Sequence, residues 1–142
     1  LQPTADLSFS KGNFKEVKGT TGQVWALAEI NNQLLMGHHE GAFVIDGEEA
    51  RSISSQQGFW NFIAMSGVQP SNVIAAGNYK GIRLFDFANN RFVASVQIPG
   101  FEESSRFLLT DGEGGMWVSH PYHGIFRIQK DKNGSYLVSA YN

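Results

Sequence analysis

Hydrophobic and polar positions alternate along this chain in short runs that predict β-hairpins. The clearest case is GMWVSHPYHGIFRI (residues 115–128), where a polar segment ending in glycine separates two apolar runs. The same plan occurs in LLMGHHEGAFVID (34–46) and VIAAGNYKGIRLFD (73–86). Gly37, Gly41 and Asp46 of the first copy recur 40 positions later as Gly77, Gly81 and Asp86 of the second. In the third copy, Gly124 follows Gly81 by 43 positions. A period near 40 residues with strand-like content predicts a β-propeller.

Each repeat contains four strand-like runs, which is the strand number of a propeller blade. The turns between them include the pairs Asn31 and Asn32 and Asn89 and Asn90. The middle strands are apolar at consecutive positions, as expected when both faces of a blade are covered by its neighbours. The second repeat opens with the predicted strand WNFIAM (60–65). It closes with RFVASVQI (91–98), whose alternation predicts an inner face of Phe92, Ala94, Val96 and Ile98 and an outer face of Arg91, Ser95 and Gln97.

These patterns predict an all-β protein of one domain, residues 1–142, with the architecture of a partial β-propeller. We expect about three four-stranded antiparallel blades at residues 22–56, 58–98 and 104–142. Residues 1–20 are expected to hold the outer strand of a preceding blade. Three blades are too few to close a ring, since propellers have about four to eight. We therefore expect further blades of the same protein, or a homo-oligomer, to cover the end faces.

Composition narrows the classes of function. The 142 residues carry a net charge of -2 and their eleven Lys and Arg are scattered, so no basic face for nucleic acid is expected. There is no cysteine, which excludes thiol chemistry and cysteine metal ligands. No apolar run reaches the ~20 residues that span a bilayer. The first residue is Leu, so we expect a piece of a longer protein, with membrane contact only through regions outside this segment.

Three segments resemble the two-component regulator propeller repeat: LLMGHHEGAF, AAGNYKGIRLFD and MWVSHPYHGIF, the last with Ser119 in place of glycine and one extra residue. The most specific match is TDGEGGMWVS, because an acidic-glycine turn usually precedes the tryptophan of that repeat. The resemblance covers about residues 22–128. Leu35 and Ala75 depart from it, since tryptophan is common at both positions.

The resemblance implies a ligand-sensing segment in the periplasmic region of a bacterial receptor, chiefly of Bacteroidetes. Such regions connect through a membrane helix to a histidine kinase or a DNA-binding output domain, and their ligands are often polysaccharide fragments. An oligosaccharide ligand is therefore expected, with no catalysis and no cofactor in this segment. Two alternatives stay open: a fragment of a propeller glycosidase or lyase, and a protein-interaction scaffold. For an enzyme, the candidate acid and base pairs are Glu102 with Glu103 and Asp111 with Glu113.

All four histidines lie in the same type of turn, which in successive blades opens on one side of a propeller. We expect these turns to form a ligand-binding rim. Its candidate residues are His38, His39, Glu40, Asn78, Tyr79, Lys80, His120, Tyr122 and His123. The alternative that these polar residues only solvate the rim stays open.

Two further groups of residues have side chains of the kinds that bind ligands. A zinc site from His38, His39 and His123 is disfavoured, because adjacent strand-end histidines point apart and the spacing matches no metal signature, so no metal is predicted. Large aromatic residues recur near the start of each first strand, beside the expected central channel: Trp25, Trp60 and Phe107. They either pack between blades or form a stacking platform for a ligand.

Overall fold

The structure, a computed structural model, describes residues 22–66, 70–112 and 114–141. Within them the chain forms three four-stranded antiparallel sheets and no helix. The first sheet contains β1 (Val24–Ile30), β2 (Gln33–His38), β3 (Gly41–Asp46) and β4 (Glu49–Ser54). The second contains β5 (Ile63–Ala64), β6 (Val73–Asn78), β7 (Gly81–Ala88) and β8 (Arg91–Gln97). The third contains β9 (Phe107–Thr110), β10 (Met116–His120), β11 (Gly124–Lys130) and β12 (Tyr136–Tyr141).

The three sheets are blades of a partial propeller, as the sequence predicts. Strands are ordered sequentially within each blade, β1 contacts β5, and β5 contacts β9, so the first strands lie side by side around a common axis. The outer strands β4 and β8 also contact each other. The predicted outer strand in residues 1–20 lies outside the described residues. Among the described residues, none belongs to a helix long and apolar enough to cross a membrane.

The hydrophobic core consists of two layers, one at each interface between neighbouring blades. Phe59 and Phe85, both fully buried, lie in the layer between the first and second blades, with their ring centroids 5.9 Å apart. Between the second and third blades, Met116 and Ile128 pack against Ile82. Consecutive apolar residues in β6 and β7 are explained by this arrangement, because the second blade is covered on both faces.

Neighbouring blades approach most closely at two equivalent glycines. A Cβ atom at Gly37 would lie 2.5 Å from the Phe59 carbonyl oxygen, and one at Gly77 would overlap the Ser105 carbonyl oxygen. In both places the backbone of the next blade crosses the second strand of the blade before it. Backbone hydrogen bonds fix the crossing, since the Ser105 N–H donates to the Asn78 carbonyl at 3.0 Å. The repeated glycine is therefore a requirement of blade packing.

The first turn of the first blade also ties two blades together. Asn31 and Asn32 have φ of 55° and 62°, and Asn89 and Asn90 have 53° and 61°, as type I′ hairpin turns require. The Asn31 side chain reaches the second blade, where its Nδ2 donates to the carbonyl of the buried Ser71 at 2.8 Å. The Ser71 N–H donates to the Asn31 Oδ1 at 2.8 Å in return.

Two predicted strands differ from the structure. The first strand of the second blade has only two residues, because its pairing with β6 is interrupted by one extra residue between the Phe59–Asn78 bridge and the Ile63–Ala75 pair. In the segment RFVASVQI the predicted alternation is correct for Phe92 and Ile98, which are buried, and wrong for the residues between them. Gln97 pairs with Arg83 but Ala94 pairs with Phe85, so β8 contains one extra residue and bulges. The bulge exposes Ala94 and Val96, which were expected to face inward.

Candidate functional site

Four rings from two blades meet at the edge where the innermost strands begin. Trp25 lies near the start of β1, and Trp60 precedes β5. His39 lies in the turn between β2 and β3, and Tyr79 lies in the turn between β6 and β7. The ring centroids of Trp25 and Trp60 are 5.0 Å apart, and those of Trp60 and Tyr79 are also 5.0 Å apart. Tyr79 and His39 follow at 5.7 Å. These four residues form a continuous surface, called the aromatic arc below.

Hydrogen bonds between the ring edges hold the arc in place. The Trp25 Nε1–H donates to the Tyr79 hydroxyl at 3.0 Å, and that hydroxyl lies 2.8 Å from the His39 Nδ1. The Trp60 Nε1–H donates to the Ser104 Oγ of the third blade at 2.9 Å. Each ring edge in the arc is thereby tied to another blade or another turn, which fixes the relative orientation of the rings.

Gly58 positions the Tyr79 side chain within the arc. Its N–H donates to the His39 carbonyl at 2.8 Å, and its carbonyl accepts the Tyr79 N–H at 2.9 Å, so one residue bridges the turns of two blades. Gly58 has φ of 81°, and a Cβ atom there would overlap the Tyr79 ring. Only glycine combines this backbone conformation with the space that the ring occupies.

The arc is ordered but still accessible to solvent. Trp25 is 38% exposed, and the other three rings are half-buried. The rings of the arc therefore keep the solvent access that Phe59, which packs between the blades, has lost. A half-exposed surface of fixed rings with hydrogen-bonding edges suits a ligand that has both an apolar face and polar groups.

The third blade extends the arc through Arg106 and Phe107. The Arg106 Cζ lies 5.1 Å from the Trp60 ring centroid and 5.7 Å from the Phe107 ring centroid. Phe107 itself is 52% exposed. The three aromatic residues predicted beside the channel thus lie along one surface, although none is core. Sequence reasoning missed Arg106, because a single arginine before a strand follows no pattern.

The predicted rim is only partly exposed. His38 and Asn78 are 2% and 0% exposed, which corrects the expectation that both lie on the rim. Their side chains close the turns that follow them: the His38 Nδ1 accepts the Glu40 N–H at 2.9 Å, and the Asn78 Oδ1 accepts the Lys80 N–H at 3.0 Å. A short polar side chain that accepts the N–H two residues on is a common turn device.

The third turn repeats this device at its surface and is separate from the arc. The His120 Nδ1 accepts the N–H groups of Tyr122 and His123, each at 3.1 Å. The rings of His120 and His123 stack with centroids 4.1 Å apart, and Tyr122 is 90% exposed. In the described part of the chain, no hydrogen bond or ring contact joins these three residues to the arc. Of the nine predicted rim residues, His39 and Tyr79 contact each other across a blade boundary through their side chains.

One group of side chains has the donor set of a metal site. Ligand atoms of Glu103, His120 and His123 all lie within 4.8 Å of one another, and no other such group occurs among the described residues. Because the His120 Nδ1 accepts two backbone N–H groups, the neutral ring carries its proton on Nε2, which then cannot bind a metal. The Glu103 Oε1 lies 2.6 Å from the His123 Nδ1 and 3.9 Å from the His120 Nε2. This geometry fits a carboxylate held between two imidazoles. His38, His39 and His123, the residues of the zinc site that the sequence disfavours, do not form such a group in the described part of the chain.

Two of the four acidic residues that are candidates for catalysis, Asp111 and Glu103, have structural partners. The Asp111 Oδ2 accepts a hydrogen bond from the Arg127 Nη2 at 2.6 Å, and its Oδ1 accepts the Gly115 N–H at 3.0 Å. Glu103 is held by His123 as described above, whereas Glu113 lies outside the described residues. Asp111 therefore organises the turn before β10, within the TDGEGGMW segment.

A groove of about 610 Å³ adjoins the arc on the open face of the third blade. It is mostly apolar, and its lining includes Arg106, Phe107, Leu109, Trp117 and Ile125. Leu109 is 69% exposed, and Phe107 and Ile125 beside it in the groove are exposed too, so the groove is an exposed apolar patch. The corresponding faces of the first two blades are covered by the blade that follows each of them.

Searches against protein-family models and against curated protein sequences find no match to this chain. The arc, the third turn and the open groove therefore have to be interpreted from their own geometry and chemistry.

Proposed function

We propose that this chain is a ligand-sensing propeller segment that binds a polysaccharide fragment at the aromatic arc and catalyses no reaction. The observation that carries the proposal is the unbroken series of rings from Trp25 through Trp60 and Tyr79 to His39, which crosses a blade boundary. A sugar ring has one face of C–H groups and a rim of hydroxyls. Half-exposed aromatic faces with polar edges match both parts of such a ligand.

The site is built to report binding to the rest of the propeller. Its residues come from two blades, and the Trp60 indole is hydrogen-bonded to Ser104 at the start of the third. A ligand that contacts rings of different blades favours one relative arrangement of those blades over others. This is the property that a sensor needs in order to pass occupancy to a distant domain.

The wider context of the proposal comes from the resemblance to the two-component regulator propeller repeat. We propose a periplasmic position in a bacterial receptor, with the output domain, a histidine kinase or a DNA-binding domain, outside this segment. The repeated close-approach glycines and the turn organised by Asp111 are consistent with that type of repeat. Bacteria of the Bacteroidetes are the expected source of such receptors.

Calorimetric titration with a panel of oligosaccharides tests the proposal. Replacing Trp25 by alanine removes the most exposed ring of the arc and is expected to weaken binding by roughly 1 to 2 kcal/mol. Tyr122→Ala is the matched control, because it removes an exposed aromatic side chain outside the arc. Equal losses in the two variants would move the binding site to the third turn, and hydrolysis of any oligosaccharide during the titration would favour the enzyme.

A second function, assembly, is favoured by the open apolar face of the third blade. We propose that further blades of the same protein, or a second copy of this chain, cover the face that includes Phe107, Leu109 and Ile125. Light scattering on the isolated chain tests this. A stable, non-aggregating monomer at high concentration would contradict it.

A further inference from the structure

Two arginine side chains of this protein stack on tryptophan rings, but they differ in one respect. The Arg127 Cζ lies 4.8 Å from the Trp117 ring centroid, and the Arg106 Cζ lies 5.1 Å from the Trp60 ring centroid. The hydrogen-bonding edge of Arg127 is occupied, because its Nη2 donates to Asp111 at 2.6 Å. Within the described part of the chain, the Arg106 guanidinium donates no hydrogen bond and pairs with no carboxylate.

The surroundings of Arg106 leave that edge available to a ligand. Trp60 and Phe107 both contact its guanidinium, while the side chain as a whole is exposed. A guanidinium has five N–H donors in one plane, and two of them match the oxygens of a planar or tetrahedral anion in parallel. The ring contacts also restrict the side chain before any ligand arrives, which lowers the entropy lost on binding.

The position of Arg106 links an anion to the arc. Its guanidinium contacts Trp60, whose ring is 5.0 Å from the Trp25 ring. A sugar ring packed on the arc therefore places its substituents next to the Arg106 edge. Glu103 is the acidic residue nearest to Arg106 in sequence. Its carboxylate already has a partner, because its Oε1 lies 2.6 Å from the His123 Nδ1.

We propose that the arc selects saccharides with an acidic substituent, either a uronate carboxylate or a sulfate ester, whose oxygens bind the edge of Arg106. The inference rests on the proposed function, since it names the ligand class of the same site.

Calorimetry with matched acidic and neutral ligands tests the inference. The probes are a galacturonate tetramer and its fully methyl-esterified form, together with a sulfated carrageenan oligosaccharide and its desulfated form. We expect the acidic member of at least one pair to bind roughly 10- to 100-fold more tightly than its neutral form. Its affinity is expected to fall as salt is added, while that of the neutral form is not. The pair that shows the difference identifies the acid as carboxylate or sulfate.

Three variants assign the effect to Arg106. In Arg106→Gln the affinity for the acidic ligand is expected to fall to that of the neutral form, with the neutral form unaffected. Arg106→Lys keeps the charge but not the planar pair of donors, so an intermediate affinity is expected. Arg91→Gln removes the same charge from another exposed arginine and is expected to leave binding unchanged.

The outcomes separate the two proposals. Equal affinity for acidic and neutral forms, or an acid preference that survives in Arg106→Gln, overturns the acid inference and leaves saccharide binding intact. No binding of any oligosaccharide, acidic or neutral, overturns the proposed function and the acid inference together.

Discussion

The Ser105 carbonyl oxygen occupies the space that a side chain at Gly77 would need. The two residues belong to neighbouring blades, and the same relationship joins Gly37 to the Phe59 carbonyl. At the equivalent position of the third blade stands Ser119, whose side chain is exposed. If another blade packed after the third, Ser119 would place a Cβ atom in the interface between them. The two internal interfaces have no Cβ atom at this position.

Gly77→Ala is expected to destabilise the protein by about 2 to 3 kcal/mol, because the obstacle is backbone and the blades must move apart. Chemical denaturation followed by circular dichroism measures the change in unfolding free energy. Ser119→Ala is the control, since that position already carries a Cβ atom, and a change within about 0.5 kcal/mol is expected there. Similar small changes in both variants would show that the blades are not in close contact at Gly77.

Asn31→Ala is expected to lower the unfolding free energy by about 2 to 3 kcal/mol. Alanine is less favourable than asparagine at φ of 55°, and the N–H of the buried Ser71 loses its acceptor. The comparison variant is Asn89→Ala, which has nearly the same φ in the equivalent type of turn. Subtracting its effect isolates the contacts between blades, and a difference of zero would mean that Asn31 does not link them.

Asp111→Ala is expected to destabilise the protein by about 2 kcal/mol, because the turn before β10 and the Arg127 guanidinium both lose their acceptor. Asp131 organises a comparable turn by accepting the Asn133 and Ser135 N–H groups, without an arginine partner. Thermal unfolding of Asp131→Ala should therefore reveal a smaller loss of about 1 kcal/mol. If Asp111→Ala kept full stability but abolished turnover of an oligosaccharide, the residue would be catalytic.

Zinc is expected to leave the melting temperature unchanged despite the proximity of Glu103, His120 and His123. Binding would require the His120 Nδ1 to give up two backbone N–H groups. Differential scanning fluorimetry with and without zinc measures this, and a chelator provides the baseline. A rise in melting temperature that disappears in His123→Ala would establish a metal site.

The fold could be predicted from the sequence because its signals are local and repeated. The asparagine pairs answer a backbone requirement of their own turns, and the glycines at positions 37 and 77 recur because each repeat makes the same contact with the blade that follows it. The bulge in β8 has a trace in the sequence, because three consecutive apolar residues, Phe92, Val93 and Ala94, interrupt the alternation, but this does not specify how β8 is paired. Patterns of residue types do not specify the register between neighbouring strands.

The site was predicted in separate parts. His39 and Tyr79 were identified as turn residues and Trp25 and Trp60 as channel residues, but their meeting depends on how one blade packs on the next. The turn-closing role of His38 had a signal in the sequence: a polar acceptor precedes each of the three turns by the same spacing. The sequence contains no signal for Arg106, because the rings that its guanidinium contacts belong to two different blades.

The central claim, that the aromatic arc is a saccharide-binding surface, is tested most directly by nuclear magnetic resonance of the three tryptophan indole N–H groups. Trp25 and Trp60 lie in the arc, whereas Trp117 packs against Tyr141 on the third blade, so each indole reports on a known place. Single substitutions assign the three signals. On titration with an oligosaccharide that binds the protein, the signals of Trp25 and Trp60 are expected to shift, and both shifts should give the same dissociation constant. The signal of Trp117 is expected to stay in place. A shift confined to Trp117, with the arc signals unmoved, would contradict the account.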